Sequence, residues 1–166
     1  MSLVNNQTVV YGHDHYEYEE APAAAGTSIA AGDVLQRNEE GEVEEHTGGR
    51  VGPGDFLVAF EPRRKGGELN ETDAGVADGY VYSEGEQVSY GRVRGGSYHL
   101  RLTSGEVAVV GDELVVDGDN PGQVRLLDQD GTAPDDSDAA ILARADQDVD
   151  TTVTGGVTFV PVLPVS

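Results

Sequence analysis

The chain of 166 residues carries 31 acidic against 10 basic residues, a net charge of −21, with 23 Gly, 7 Pro and no Cys. That length suits one domain with a sizeable core, and the missing cysteines exclude a disulfide framework and a thiolate metal site. The acidic balance argues against nucleic-acid binding, which needs a basic face, and no apolar run nears the ~20 residues that cross a bilayer.

Lys65 is the single lysine among the ten basic residues. Self-repulsion on this scale strains a compact fold unless salt screens it, and the Debye length falls to ~3 Å at 1 M. Acidic excess with lysine depletion therefore points to a halophilic setting. The one basic cluster, Arg63-Arg64-Lys65, is three residues in a Pro/Gly-flanked loop. The first residues lack both a basic start and an apolar core, so no secretory leader is expected.

Residues 1–28 read as an extended N-terminal arm whose partner lies outside its own domain. Thr8–Tyr11 is a short strand, tyrosine then alternates with charge over Gly12–Glu20, and the run 21–26, APAAAG, is small-residue linker. Amphipathic aromatics favour interfaces, so Val9, Val10, Tyr11, Tyr16 and Tyr18 are the expected contact residues of the arm. His13 and His15 fall on one face of such a strand, but with no third ligand nearby a metal is not expected.

Residues 29–166 read as a single β-rich domain. Ala31-Gly32-Asp33-Val34-Leu35 begins it, and Phe56–Phe60 is a continuous apolar strand buried on both faces. Tyr80–Tyr82 and Gln87–Val93 are strands around the Glu84-Gly85-Glu86 turn. In Tyr98–Leu102 the residues Tyr98, Leu100 and Leu102 share one face, with His99 and Arg101 on the other. Thr103–Gly131 predicts a three-stranded meander: Val107–Val110, the turn pair Gly111-Asp112, Leu114–Val116, a second turn through Pro121-Gly122, and Val124–Leu127. The phrase Gly-Asp, strand, Gly, strand occurs at Gly32 and again at Gly111, with a partial copy at Gly54. Two copies are read as a recurring turn of a β architecture, not as a repeat fold. The run 134–148 fits a short helix over Ala139–Ala145, capped by Asp135 or Ser137, as well as a strand. Val157–Val165 closes the chain as a strand that Pro161 and Pro164 confine to an edge or interrupt.

The chemistry search returns little. There is no phosphate loop and no nucleophile elbow. Asp117–Gly122 begins like a calcium loop, but Pro121 takes a ligand position and no closing Glu follows. No cofactor, no metal and no catalysis are expected.

Phe60-Glu61, Asp78-Gly79-Tyr80, Glu84–Val88, Gly95–Tyr98, Leu102–Glu106, Val109–Leu114, Ala140–Ala145 and Val157–Val162 succeed one another in an order that resembles the small β-rich decoration (cement) proteins of tailed-virus capsids. The likeness runs from about Ile29 to the C-terminus. It implies an all-β fold, a compact barrel or sandwich of short antiparallel strands, with Ala140–Ala145 as a strand. It further implies trimer-like clustering on a capsid shell and no enzymatic activity. With the salt argument, the expectation is a decoration protein of a virus infecting a halophilic archaeon, assembled in the host cytoplasm. It would sit on the outer capsid surface, bound to the major capsid protein, without nucleic-acid or membrane partners. A secreted carbohydrate-binding β-sandwich is the alternative, weakened by the absence of Trp; a small β-barrel hydrolase comes third.

Overall fold

The computed structural model describes residues 10–11, 16–48, 55–60, 81–93, 97–127, 141–152 and 158–164. Among them the fold is all-β, with no helix. The strands are β1 (Val10–Tyr11), β2 (Tyr16–Pro22), β3 (Ile29–Ala30), β4 (Val34–Arg37), β5 (Val43–Glu45), β6 (Leu57–Ala59), β7 (Val81–Tyr82) and β8 (Gln87–Val93). They continue with β9 (Ser97–Leu102), β10 (Val107–Ala108), β11 (Glu113–Val116), β12 (Val124–Leu126), β13 (Ala143–Ala145), β14 (Val149–Asp150) and β15 (Thr158–Pro164).

Two barrels result. In the second, β9, β12, β11, β13 and β15 pair in that order, and β15 pairs back onto β9 to close the ring. In the first, β2, β8, β6, β4 and β5 form an antiparallel sheet whose ends meet where Ala23 bridges Val43. The closing contacts correspond: Ala24 N–H donates to Val43 O and Thr103 N–H to Val124 O, both at 2.9 Å. Each barrel also has a small flap, β3 on β7 and β10 on β14.

The correspondence extends through all seven strands, β2 to β8 matching β9 to β15. Gly32 and Gly111 both sit at φ +93°, a left-handed conformation that glycine adopts without a Cβ clash. Gly32 N–H donates to Ala59 O and Gly111 N–H to Ala145 O, each at 2.8 Å. The carboxylate of Asp33 accepts Ala30 N–H, and that of Asp112 accepts Val109 N–H. The interiors match too. Ala23, Leu35, Val43, Ala59, Val88 and Tyr90 of the first barrel occupy the places of Leu102, Leu114, Val124, Ala145, Val160 and Val162 in the second. The described strands thus form an internal structural repeat, and the reading of the Gly-Asp phrase as a mere recurring turn is corrected. The echo is faint because loops of unequal length separate the strands and the two cores are filled with different side chains.

The barrels share apolar surface. Val34, Phe56, Val58, Phe60 and Val93 belong to the same buried cluster as the interior of the second barrel. In β4 and β6 the pair Val34–Val58 serves this cluster while Leu35–Leu57 fills the first barrel. That alternation explains why Phe56–Phe60 is buried throughout, as its unbroken apolar pattern predicts.

Several expectations change. Tyr16–Pro22 is no detached arm: β2 pairs with β8 along its whole length. The expected linker supplies core residues, with Ala21, Ala23 and Ala24 buried. The partner of this stretch therefore lies inside the domain, and a boundary at 28/29 would cut through the first barrel. Only Val107–Ala108 of the expected first meander strand is extended, and it pairs with β14 instead of β11; the β11–β12 hairpin is as expected. Ala143–Ala145 is a strand, which removes the helix alternative there. β15 is neither an edge strand nor interrupted, since β13 and β9 flank it. The prolines fit for a geometric reason. Pro161 O accepts Asp146 N–H just past the end of β13, so its missing N–H falls on the side where that ladder has stopped. Pro164 lies beyond Val162, the last residue of β15 paired with β9.

Candidate interaction surface

The joint between the barrels shows what a Gly-Asp turn of this protein does when covered. Arg101, on the outward face of β9, places Nη1 2.8 Å from Oδ1 of Asp33, whose side chain has no solvent exposure. Asp33 Oδ2 accepts Ala30 N–H at 2.7 Å, and Arg101 N–H donates to Gly32 O at 3.3 Å. A Cβ at Gly32 would lie 2.6 Å from the ring of Phe159. The turn is therefore clasped by one arginine and one aromatic ring. Glu45 adjoins this pair; burial, then repulsion from Asp33, pushes its carboxyl up to about 7, with Arg101 opposing.

Among the described residues nothing covers the sister turn. Asp112 Oδ2 accepts Val109 N–H and Asp148 Oδ1 accepts Val110 N–H, both at 2.9 Å, while a Cβ at Gly111 would meet nothing within 4 Å. Val107, Val109 and Val110 are 50%, 49% and 63% exposed. Nearby on the barrel wall, Leu163 is exposed beside Arg144, which pairs with Glu113. These take the places of Gly91, Val58 and Val34 in the first barrel, so charge replaces the apolar contact face.

A third surface lies at the mouth of the first barrel. Arg37 Nη2 donates to Glu19 Oε2 at 2.7 Å and to the Tyr90 hydroxyl, with the guanidinium carbon 5.5 Å from the Tyr90 ring centre. The corresponding places in the second barrel are Tyr98, Val116 and Val162, all buried and uncharged. One barrel is plugged by a charged cluster, the other by uncharged side chains.

The expected contact residues are split by this architecture. Val10 and Tyr11 form β1 on the edge of β9, opposite Tyr98 and Ser97. Tyr16 and Tyr18 lie in β2, opposite Val93 and Gly91. Val9, like His13 and His15, lies outside the described residues. Sequence reasoning missed the exposed valines by assigning them to a strand. The signal was present: Val109-Val110 before Gly-Asp replaces Ala30-Ala31, large residues where the covered turn has small ones.

The Asp117 turn, which begins like a calcium loop, is held by its own neighbours. Asp117 accepts Thr103 Oγ1 at 2.7 Å, Asn120 Nδ2 at 2.9 Å and Asp119 N–H at 3.0 Å. Burial alone would raise its carboxyl, but these donors lower it on balance, so its oxygens hold a turn as Asn38 does in the first barrel. His46 and His99 are both held below the usual histidine value by burial. Among the described residues no group of three or more His, Asp or Glu side chains could hold a metal ion.

No protein-family model matches the chain, and no curated protein matches it by sequence. A solved structure does match in fold: the N base of the head fiber protein gp8.5 of bacteriophage phi29, with a TM-score of 0.51 at 14% identity, covering 90% of this chain and 95% of that one. At that identity the likeness is one of fold.

Proposed function

We propose that the protein is a virion structural protein of a tailed virus, one that decorates the outside of the capsid and cements contacts between capsomers. The observation that carries this reading is the fold match with a phage head-fiber base over nearly the whole length of both chains. The order of turn phrases shared with capsid decoration proteins supports it from the sequence side. The role asks for binding surfaces and not for a reaction. Binding to an assembled lattice but not to free subunits stabilises the lattice by mass action, and several linked contacts on neighbouring capsomers add avidity. The partner is the major capsid protein, and the copies gather as trimers on the shell. A net charge of −21 with one lysine supports a virus of a halophilic archaeon, because screening at molar salt removes the self-repulsion.

The test is direct. Purified virus particles should contain the polypeptide in fixed stoichiometry to the major capsid protein, and antibody labelling should place it on the outer surface. Particles without it, or a protein found only inside the shell, would overturn the reading.

A further inference from the structure

We propose that the Val109–Asp112 turn, with Val107, is a docking site for a partner protein that presents an arginine beside an aromatic side chain. The template lies within the chain. In the duplicated unit the equivalent turn is clasped by Arg101 on Asp33 Oδ1 and by Phe159 over Gly32. At the second turn the same carboxylate geometry recurs, with Asp112 Oδ2 capping Val109. Its Oδ1 takes no hydrogen bond among the described residues, and none of their atoms lies within 4 Å of a Cβ placed on Gly111. Around this turn Val109 and Val110 are 49% and 63% exposed where the covered turn has the buried Ala30 and Ala31, and Val107 beside them is 50% exposed. Large apolar side chains grouped in solvent beside a carboxylate with one oxygen still able to accept make a contact surface with a charged anchor.

A second copy of the chain is a poor occupant. The places of Arg101 and Phe159 in the first barrel are held by Pro22 and Gln87, so the clasp cannot be passed from copy to copy. The occupant is a different, locally basic protein, and under the virion reading, on which this inference rests, it is the capsid shell.

The chain lacks cysteine, so Val110→Cys supplies a single thiol; Val81→Cys, at an exposed valine of the first barrel, is the control. Purified shells lacking the protein are decorated with each variant, and maleimide alkylation is compared with that of the free protein. The expected result is slowing of at least about tenfold at position 110, as for a residue in a desolvated contact, with less than about twofold at position 81. Asp112→Asn, which keeps the cap on Val109 but removes the charge, is expected to weaken shell binding about tenfold. Equal alkylation of bound and free Val110→Cys, or equal protection at both positions, overturns the docking site while leaving the virion role standing. Undiminished binding of Asp112→Asn overturns the arginine clasp. Failure of the wild-type protein to bind shells sinks the virion reading and this inference together.

Discussion

Arg101 of the second barrel and Asp33 of the first meet at 2.8 Å across the joint, the carboxylate fully buried and the guanidinium nearly so. Removing one member of such a pair strands a charge in the interior. Arg101→Ala should destabilise the protein by about 3–5 kcal/mol. Asp33→Asn combined with Arg101→Leu should recover most of that, since Asn still accepts Ala30 N–H. Denaturant unfolding of Asp33→Asn, Arg101→Leu and their double, at one fixed salt concentration, measures the coupling. Additive losses would show that the pair does not act as a unit.

The matched glycines provide a second measurement. Both Gly32 and Gly111 have φ +93°, so alanine at either costs about 1–2 kcal/mol for the left-handed backbone. At Gly32 the new methyl also drives into Phe159 and the carbonyl of His99, which adds about 1–3 kcal/mol of overpacking. Gly32→Ala should therefore lower the denaturant midpoint clearly more than Gly111→Ala. Equal shifts would mean that the joint is looser than the close approach requires.

Glu45 gives the pH dependence a sign. Its folded value of about 7 lies above its ordinary 4.5, so between those values the native state holds more proton than the unfolded chain. Stability then falls as pH rises from about 4.5 to 7. His46 and His99 oppose this: their lowered values mean that stability is lost as pH falls through the histidine range. The difference between wild type and Glu45→Gln isolates the first effect. The variant should lose the descent between pH 5 and 7, worth about 1–2 kcal/mol after discounting for partial solvent exposure. Parallel melting profiles for the two proteins would refute the assignment.

Deleting residues 1–20 removes β1 and Tyr16–Glu20 of β2, stripping most of a ladder from β8 and opening the core around Val88 and Tyr90. The truncated chain should lose cooperative unfolding and its near-ultraviolet dichroism. A monomeric product melting like the parent would show that β2 is dispensable.

The proposed saline setting has a simple readout. Raising salt from ~0.1 M to ~1 M shortens the screening length from about 10 to 3 Å, so the thermal midpoint should climb steeply with added potassium chloride. A flat response would mean that the negative charges are already balanced within the fold.

Much of the strand pattern was legible before any coordinates. Alternation placed Tyr98, Leu100 and Leu102 on one buried face, and turn chemistry located Gly32, Gly111 and the β11–β12 hairpin. Local pattern carries no information about which distant strand closes a ring, so the parallel contact of Val124 with Leu102 and the insertion of β2 beside β8 were invisible. Small residues misled as well: Ala21 and Ala23 look like a linker because a narrow interior asks for little volume. Pro161 looked like a strand breaker because the end of β13, on which its tolerance depends, is a tertiary fact. For the candidate surface, the residue types were readable at Val109 and Val110, but their exposure depended on which of two similar turns the joint would cover.

The shared cluster formed by Val34, Phe56, Val58, Phe60 and Val93 with the second barrel's interior has an energetic corollary. The outer wall of one half is buried in one cluster with the filling of the other, so neither half can be cut free without laying bare hydrocarbon. Although built twice on one plan, the molecule should therefore melt as one body, its cooperativity residing in the seam.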